Sequence, residues 1–141
     1  MRIQSMSEFW PYYLSEHRHP VSRILHFFGT TAFFAAVISS LLWNPLWFSL
    51  ALAFAVGLGW LAATQVERDR PAFLPMLAAA PWTMPGGIVV AYACAWVGHY
   101  RFEHNRPATF KYPVWSFLCD FRMWGQMARG RLWSGDTAIA R

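Results

Sequence analysis

The residues in this chain that could bind a metal ion are its histidines: His17, His19, His26, His99 and His104. They form two groups, one at each end of a long apolar part of the sequence. His99 and Glu103 are four positions apart, so a helix would place both side chains on one face. Imidazole and carboxylate ligands with open positions are typical of non-haem Fe(II) oxygenases. Spacing alone therefore suggests these candidate metal ligands and catalytic residues: His17, His26, His99 and Glu103.

Each of these residues also has an ordinary structural interpretation. A histidine near a membrane face commonly forms hydrogen bonds or extends toward the headgroups, and we assign this role to His19 and His104. That interpretation is weaker for His26 and His99, because an ionisable group in an apolar helix is energetically costly. Glu103 has an alternative role as the ion-pair partner of a nearby arginine.

Composition limits the class of protein. The chain has 141 residues, of which 56% are hydrophobic, 18% aromatic and 13% charged. Soluble domains have roughly 25% charged residues, and disordered chains are poor in aromatics. The net charge is +5, but the sequence is strongly hydrophobic. This combination argues against a soluble nucleic-acid binder, so we expect no nucleic-acid partner. The two cysteines form no CxxC pair.

The distribution of charge predicts an all-α, polytopic membrane helical bundle. No charged residue occurs between Arg23 and Glu67 or between Arg70 and Arg101, and about 20 apolar residues cross a bilayer. Asn44-Pro45 and several later prolines divide these stretches. The predicted membrane helices cover residues 24–43, 46–65, 71–81 and 86–105, about four spans of which the third is short or re-entrant.

Two flanking segments complete a single predicted domain over residues 1–141. Residues 1–22 are predicted to be an interfacial N-terminal segment, and 113–128 an interfacial helix at the headgroup level. Residues 129–141 are predicted to be a frayed tail. The apolar positions of the interfacial helix recur at helical spacing: Val114, Phe117, Leu118, Phe121 and Trp124.

The positive charges predict how the helices are oriented. All twelve Lys and Arg residues lie in the termini or in the loop between the second and third predicted spans. By the positive-inside rule, both termini and that loop are cytosolic. Because the first residues lack a basic head followed by an apolar core, we expect no signal peptide. We therefore predict an integral protein of a bacterial inner membrane, with both histidine groups at its cytosolic face. The sequence predicts no particular oligomeric state.

Two segments carry a resemblance to a known family. The sequences YYLSEHRHPVSRILHFFGT at residues 12–30 and GHYRFEHNRPATF at residues 98–110 resemble that family's two signatures. Residues 111–116 and Asp120 continue the match, and the resemblance covers residues 9–127. The family contains fungal endoplasmic-reticulum 2-hydroxy fatty acid dioxygenases and many bacterial relatives.

The resemblance implies an Fe(II)-dependent membrane enzyme that shortens 2-hydroxy fatty acids by one carbon, cleaving C1–C2 with O2 and releasing CO2. The choice of iron over other metals rests on this resemblance. The family's ligand positions map onto His17, His26 and His99, and its acidic position maps onto Glu103. The substrate, a lipid, would lie between the helices with its carboxylate near basic residues. The predicted substrate-binding residues are Arg18, Arg23, Asn105 and Arg106.

Two other classes of function remain open from the sequence. His26 and His99 are also suitable axial ligands for a haem in a membrane electron carrier. The proline-broken stretch after residue 70 resembles the discontinuous helices of transporters. A protein without enzymatic activity, with a transport or structural role, is therefore the remaining alternative.

Overall fold

A computed structural model describes residues 3, 5–65, 83–108 and 111–134, and these residues form helices and no strand. The predicted all-helical fold is therefore confirmed for this part of the chain. The predicted span over 71–81 lies outside the described residues. The elements are α1 (Met6–Ser15), α2 (Pro20–Trp43), α3 (Pro45–Gln65), α4 (Thr83–Val97), a π-helix (Gly98–Glu103) and α5 (Pro113–Ala128).

The first long helix begins earlier than the predicted span at residue 24. His19 has extended backbone angles, and its Nδ1 accepts a hydrogen bond from the backbone N–H of Val21 at 3.1 Å. Pro20 then occupies the first helical position, where its fixed φ is favourable. At the other end, α2 stops at Trp43 and α3 begins after Asn44.

The helix predicted over 86–105 is two elements in the structure. α4 begins at Thr83 and becomes a π-helix at Gly98, a local widening that is frequent at functional sites. His104 ends the π-helix in the left-handed conformation, with φ of 55°, and its N–H donates to the carbonyl of His99. The chain therefore turns back sharply, so that Asn105 follows close to His99.

α2 packs most extensively against α4, and small residues allow a close approach. A Cβ at Gly29 would lie 3.1 Å from the Cα of Ala91, and a Cβ at Gly87 only 2.4 Å from the Cβ of Ala36. Near the other end of α4, a Cβ at Gly98 would lie 2.9 Å from Oγ of Ser22. Such close packing of small side chains is typical of helices that associate in membranes.

The buried core lies mainly between α1 and α5. Ser5 caps α1, with its Oγ accepting from the N–H of Glu8 at 3.2 Å. The main buried cluster contains three aromatic residues and a leucine of α1, the buried face of α5 and residues that flank α5: Phe9, Trp10, Tyr13, Leu14, Ala108, Tyr112, Cys119, Met123, Met127 and Leu132.

The apolar positions predicted for the interfacial face of α5 divide between two environments. Val114, Phe117 and Leu118 are exposed. The rings of Phe121 and Trp124 instead contact Phe34 of α2, at centroid distances of 5.2 and 4.9 Å. The helix therefore docks against α2 as well as α1. Its location at a membrane surface stays a prediction.

The frayed tail predicted from residue 129 is wrong for residues 129–134. Leu132 is 3% exposed, and its carbonyl accepts from Nη1 of Arg23 at 3.1 Å. The indole of Trp133 donates to the carbonyl of Met127 at 2.8 Å. Sequence analysis missed this fold-back because its anchor, Arg23, lies far away in the chain. The rest of the predicted tail lies outside the described residues.

One helix within the described part of the chain is long and apolar enough to cross a membrane. It is α2, with 24 residues, and only 22% of its apolar window is buried. Large apolar side chains near the α2–α3 junction are strongly exposed, including Leu42 at 79% and Leu46 at 71%. The predicted bundle of about four spans therefore stays a proposal.

Candidate metal centre

Three histidines from three different segments meet inside the protein. His17 follows α1, His26 lies in α2, and His99 lies in the π-helix. Their exposed fractions are 1%, 5% and 2%. One nitrogen from each ring lies within 4.8 Å of the other two, and Nε2 of His17 is 3.1 Å from Nε2 of His26. The sequence-predicted residues His17, His26 and His99 are thus brought together.

The packing of α2 against α4 explains why two of these rings meet. Ser22, His26 and Gly29 share one face of α2 because they are spaced by four and three residues. Ser22 touches Gly98, and Gly29 approaches Ala91, so this face points at α4. His26 therefore faces the element that carries the residue after Gly98, which is His99.

The ring of His17 is fixed by Tyr13. Nδ1 of His17 donates to the carbonyl of Tyr13 at 2.7 Å, and the two rings stack with centroids 4.1 Å apart. A carbonyl can only accept, so Nδ1 carries the proton and Nε2 presents a lone pair. Burial lowers the pKa of His17 well below its usual value, and His26 and His99 lower it further, so the ring is neutral.

The ring of His26 is oriented by a carboxylate from α5. Nδ1 of His26 lies 3.1 Å from Oδ1 of Asp120, and the hydroxyl of Tyr13 donates to the same oxygen. A carboxylate accepts, so Nδ1 of His26 carries a proton and Nε2 is the nitrogen that lies toward His17. Burial, and then the neighbouring Asp120, raise the pKa of Tyr13 well above its usual value, so its hydroxyl keeps the proton that it donates.

The ring of His99 is fixed by Asn105. Nδ1 of His99 lies 2.7 Å from Oδ1 of Asn105. The amide nitrogen of Asn105 donates to both the carbonyl and the Oε2 of Glu16, each at 2.9 Å. These two acceptors settle which way the amide points, since its nitrogen must face Glu16. His99 therefore donates from Nδ1 and also presents its Nε2 lone pair.

The three imidazoles have the hydrogen-bond pattern of metal ligands. In metal sites, a ligating histidine usually donates its other N–H to a carbonyl or carboxylate, which sets its tautomer and orientation. All three rings do so here, and Nε2 of His17 and Nε2 of His26 face each other at 3.1 Å with the ring protons on the opposite nitrogens. A bound cation satisfies such converging lone pairs. The residues present therefore fit a divalent transition metal.

Glu103 lies outside this group of three rings. Its Oε1 accepts a hydrogen bond from the backbone N–H of His19 at 2.7 Å, so the carboxylate ties the π-helix to the start of α2. The exposed side chain of His104 also lies outside the group. Of the four predicted ligands, the structure therefore brings together the histidines and gives the glutamate a different hydrogen bond.

The predicted substrate-binding residues lie in different environments. Arg18 is exposed and donates from Nε to the carbonyl of Ser15, and Arg106 is also exposed. Arg23 is completely buried, and its Nε donates to the carbonyl of His17 at 2.7 Å. Asn105 contacts His99, as described above. Two of the four thus contact the histidine segments directly.

Sequence reasoning missed two residues that support the site, Tyr13 and Asp120. Asp120 is the only acidic residue of α5, and its place in the family resemblance was the available signal. Tyr13 stood out only as one member of an aromatic cluster. No local spacing could have linked them, since they are 107 positions apart in sequence.

The described part of the chain is thus a helical protein with a buried three-histidine centre. A family model described as "2-hydroxy-palmitic acid dioxygenase Mpo1-like" matches residues 3–80 and 73–132. The chain therefore belongs to the Mpo1-like family, which confirms the resemblance drawn from the two signatures. Comparisons with curated proteins and with solved structures gave no significant match.

Proposed function

We propose that this protein is a non-haem Fe(II)-dependent dioxygenase that acts on 2-hydroxy fatty acids. The main supporting observation is the buried group of His17, His26 and His99, in which one nitrogen of each ring lies within 4.8 Å of the other two. The family description supports a 2-hydroxy fatty acid as the class of substrate. The overall reaction would be RCH(OH)COOH + O2 → RCOOH + CO2 + H2O, in which O2 takes up all four electrons and no separate reductant is needed.

His17, His26 and His99 would hold the iron in this proposal. The bound iron would supply Lewis acidity and a binding site for O2 and for the 2-hydroxy acid, whose hydroxyl and carboxylate can chelate it. Three protein ligands leave enough positions for both. Glu103 is not placed among the ligands in this proposal, because its carboxylate lies outside the group of three rings and accepts from the backbone N–H of His19.

The remaining chain would present the lipid to this centre. We propose that the exposed apolar surfaces of α2, α3 and α4 lie in a membrane, and Phe28 of α2, at 60% exposure, supports this. An acyl chain would then enter between helices while its carboxylate meets the exposed Arg18 or Arg106. The bacterial inner membrane and the cytosolic termini belong to this proposal.

Arg23 has a different role in the proposal from the one predicted. Its guanidinium holds two backbone carbonyls, one from His17 and one from Leu132. A buried arginine with these contacts is placed to fix the loop that carries His17. We therefore propose that Arg23 positions the metal ligand.

The distances between the three imidazole rings argue against a haem bound by His26 and His99. The His26 and His99 centroids are 5.3 Å apart, and the His17 ring lies 4.4 Å from the first and 4.6 Å from the second. A haem held by His26 and His99 would need a clear plane between their rings that extends well beyond them. A third imidazole this close to both lies within the footprint of the porphyrin.

The test is oxygen consumption by purified protein that has been loaded anaerobically with Fe(II). We expect O2 uptake with long-chain 2-hydroxy acids and none with unsubstituted acids of the same length. The matched variants are His26→Ala and His99→Ala, with His104→Asn as a control that alters an exposed histidine and tolerates its left-handed backbone. Turnover that is equal to wild type in both alanine variants would contradict the assignment.

A further inference from the structure

Tyr13 contacts the supports of two histidines at once. Its backbone carbonyl accepts from Nδ1 of His17 at 2.7 Å, and its ring stacks on the same imidazole. Its hydroxyl donates to Oδ1 of Asp120, the oxygen that also lies 3.1 Å from Nδ1 of His26. Tyr13 is 1% exposed and the Asp120 side chain 28% exposed, so water reaches these contacts only from the side of the carboxylate.

We propose that the Tyr13 hydroxyl and the Asp120 carboxylate form a positioning pair that sets the orientation and donor strength of His26 as a metal ligand. Through its carbonyl, Tyr13 also couples this pair to His17. Because α1 carries Tyr13 and α5 carries Asp120, these two helices help to determine the shape of a centre that also includes histidines of α2 and the π-helix. This inference rests on the proposed metal-binding function.

The physical reason lies in the two hydrogen bonds on one oxygen. A carboxylate that accepts the Nδ1 proton of an imidazole makes Nε2 a better donor to a metal. The Tyr13 hydroxyl restricts where Oδ1 of Asp120 can lie, which holds this oxygen in place for the Nδ1 proton of His26. Removal of this hydroxyl frees the carboxylate to rotate, and His26 then loses its fixed orientation.

The packing argues that this contact is built into the fold. Asp120 lies on α5 between the buried Cys119 and Met123, which pack in the same core as Phe9 and Tyr13. The Tyr13 ring also stacks on Trp10, with an interplanar angle of 10°. Tyr13→Phe keeps this ring packing and the carbonyl contact with His17, so it removes the hydroxyl alone.

The test is Co(II) titration of the anaerobic full-length protein, read from the visible absorption of the bound ion. We expect Asp120→Asn to weaken Co(II) binding about 10- to 100-fold, the usual range for a lost outer partner of a ligating histidine. Tyr13→Phe should weaken it about tenfold and shift the visible band. Tyr12→Phe is the matched control and should bind as wild type, since the Tyr12 ring packs against Phe9 and Tyr112 instead.

The double variant separates positioning from a general effect on the fold. If Tyr13 acts through Asp120, Tyr13→Phe adds no further loss of affinity in the Asp120→Asn background. Additive losses, or a Tyr13→Phe protein with the wild-type affinity and band, would overturn the inference. If Asp120→Asn does not fold, the inference is decided by comparing Tyr13→Phe with Tyr12→Phe. Only Tyr13→Phe should then show weaker Co(II) binding and a shifted visible band. A wild-type protein that binds no Co(II) or Fe(II) would instead refute the proposed function.

Discussion

The metal-free protein should lose stability in mild acid because of His17. This ring is 1% exposed, and its pKa is lowered well below the usual 6.5 by burial and by the neighbouring His26 and His99. The native state therefore keeps the ring neutral, whereas the unfolded chain takes up a proton as the pH falls through 6.5. The unfolded state then binds more protons, so stability must fall with falling pH.

The size of the effect follows from linkage. One pH unit below the unfolded pKa, a histidine that stays neutral in the native state lowers the free energy of unfolding by RT ln 11, which is about 1.4 kcal/mol. Near pH 7.5 the same term is below about 0.1 kcal/mol. We therefore expect His17 alone to remove up to about 1.4 kcal/mol between pH 7.5 and 5.5.

The assay is denaturant or thermal unfolding in mild detergent, with a chelator present, at a series of pH values. His17→Gln should show a shallower decline between pH 6.5 and 5.5 than wild type, although it is less stable at neutral pH. His104→Asn is the matched control, because it removes a histidine outside the buried group, and its stability should decline more steeply than that of His17→Gln. A wild-type protein whose stability is unchanged over this range, or a His17→Gln slope equal to wild type, would refute the reasoning.

Two further predictions concern the hydrogen bond that orients His99 and the packing of α2 against α4. Asn105→Ala removes the oxygen that accepts the Nδ1 proton of His99. In an anaerobic titration it should weaken Co(II) binding about 10- to 100-fold. Unchanged affinity would contradict the role of Asn105 in orienting His99. Gly87→Ala places a Cβ 2.4 Å from that of Ala36 and should cost about 1–3 kcal/mol of stability by overpacking. Gly125→Ala, which meets no atom within 4 Å, should leave stability unchanged or raise it, and equal unfolding curves for the two alanine variants would contradict the packing.

The sequence predicted the helices and the histidines because both depend on local patterns. The apolar runs and the Asn44-Pro45 break marked α2 and α3, and Pro113 marked the start of α5. The approach of His26 and His99 followed from a topology that placed the ends of their helices on one side. Charge-free stretches, proline breaks and the distribution of Lys and Arg were sufficient for these conclusions.

What the sequence missed depends on contacts between distant segments. The partnership of Tyr13 with Asp120 exists only once α1 and α5 pack together. The change to a π-helix at Gly98 and the left-handed residue His104 turn Asn105 toward His99, and no periodic pattern indicates either. Glu103 stays a predicted ligand, and the hydrogen bond that its carboxylate accepts from the backbone N–H of His19 is a further contact that spacing did not indicate.

The most direct test of the account is the metal content of protein extracted anaerobically from membranes. It would be measured by mass spectrometry together with an absorption spectrum of the same sample. We expect near-stoichiometric iron without a Soret band, and loss of this iron in His26→Ala and His99→Ala. A Soret band, or no transition metal even after anaerobic addition of Fe(II), would contradict the three-histidine iron centre.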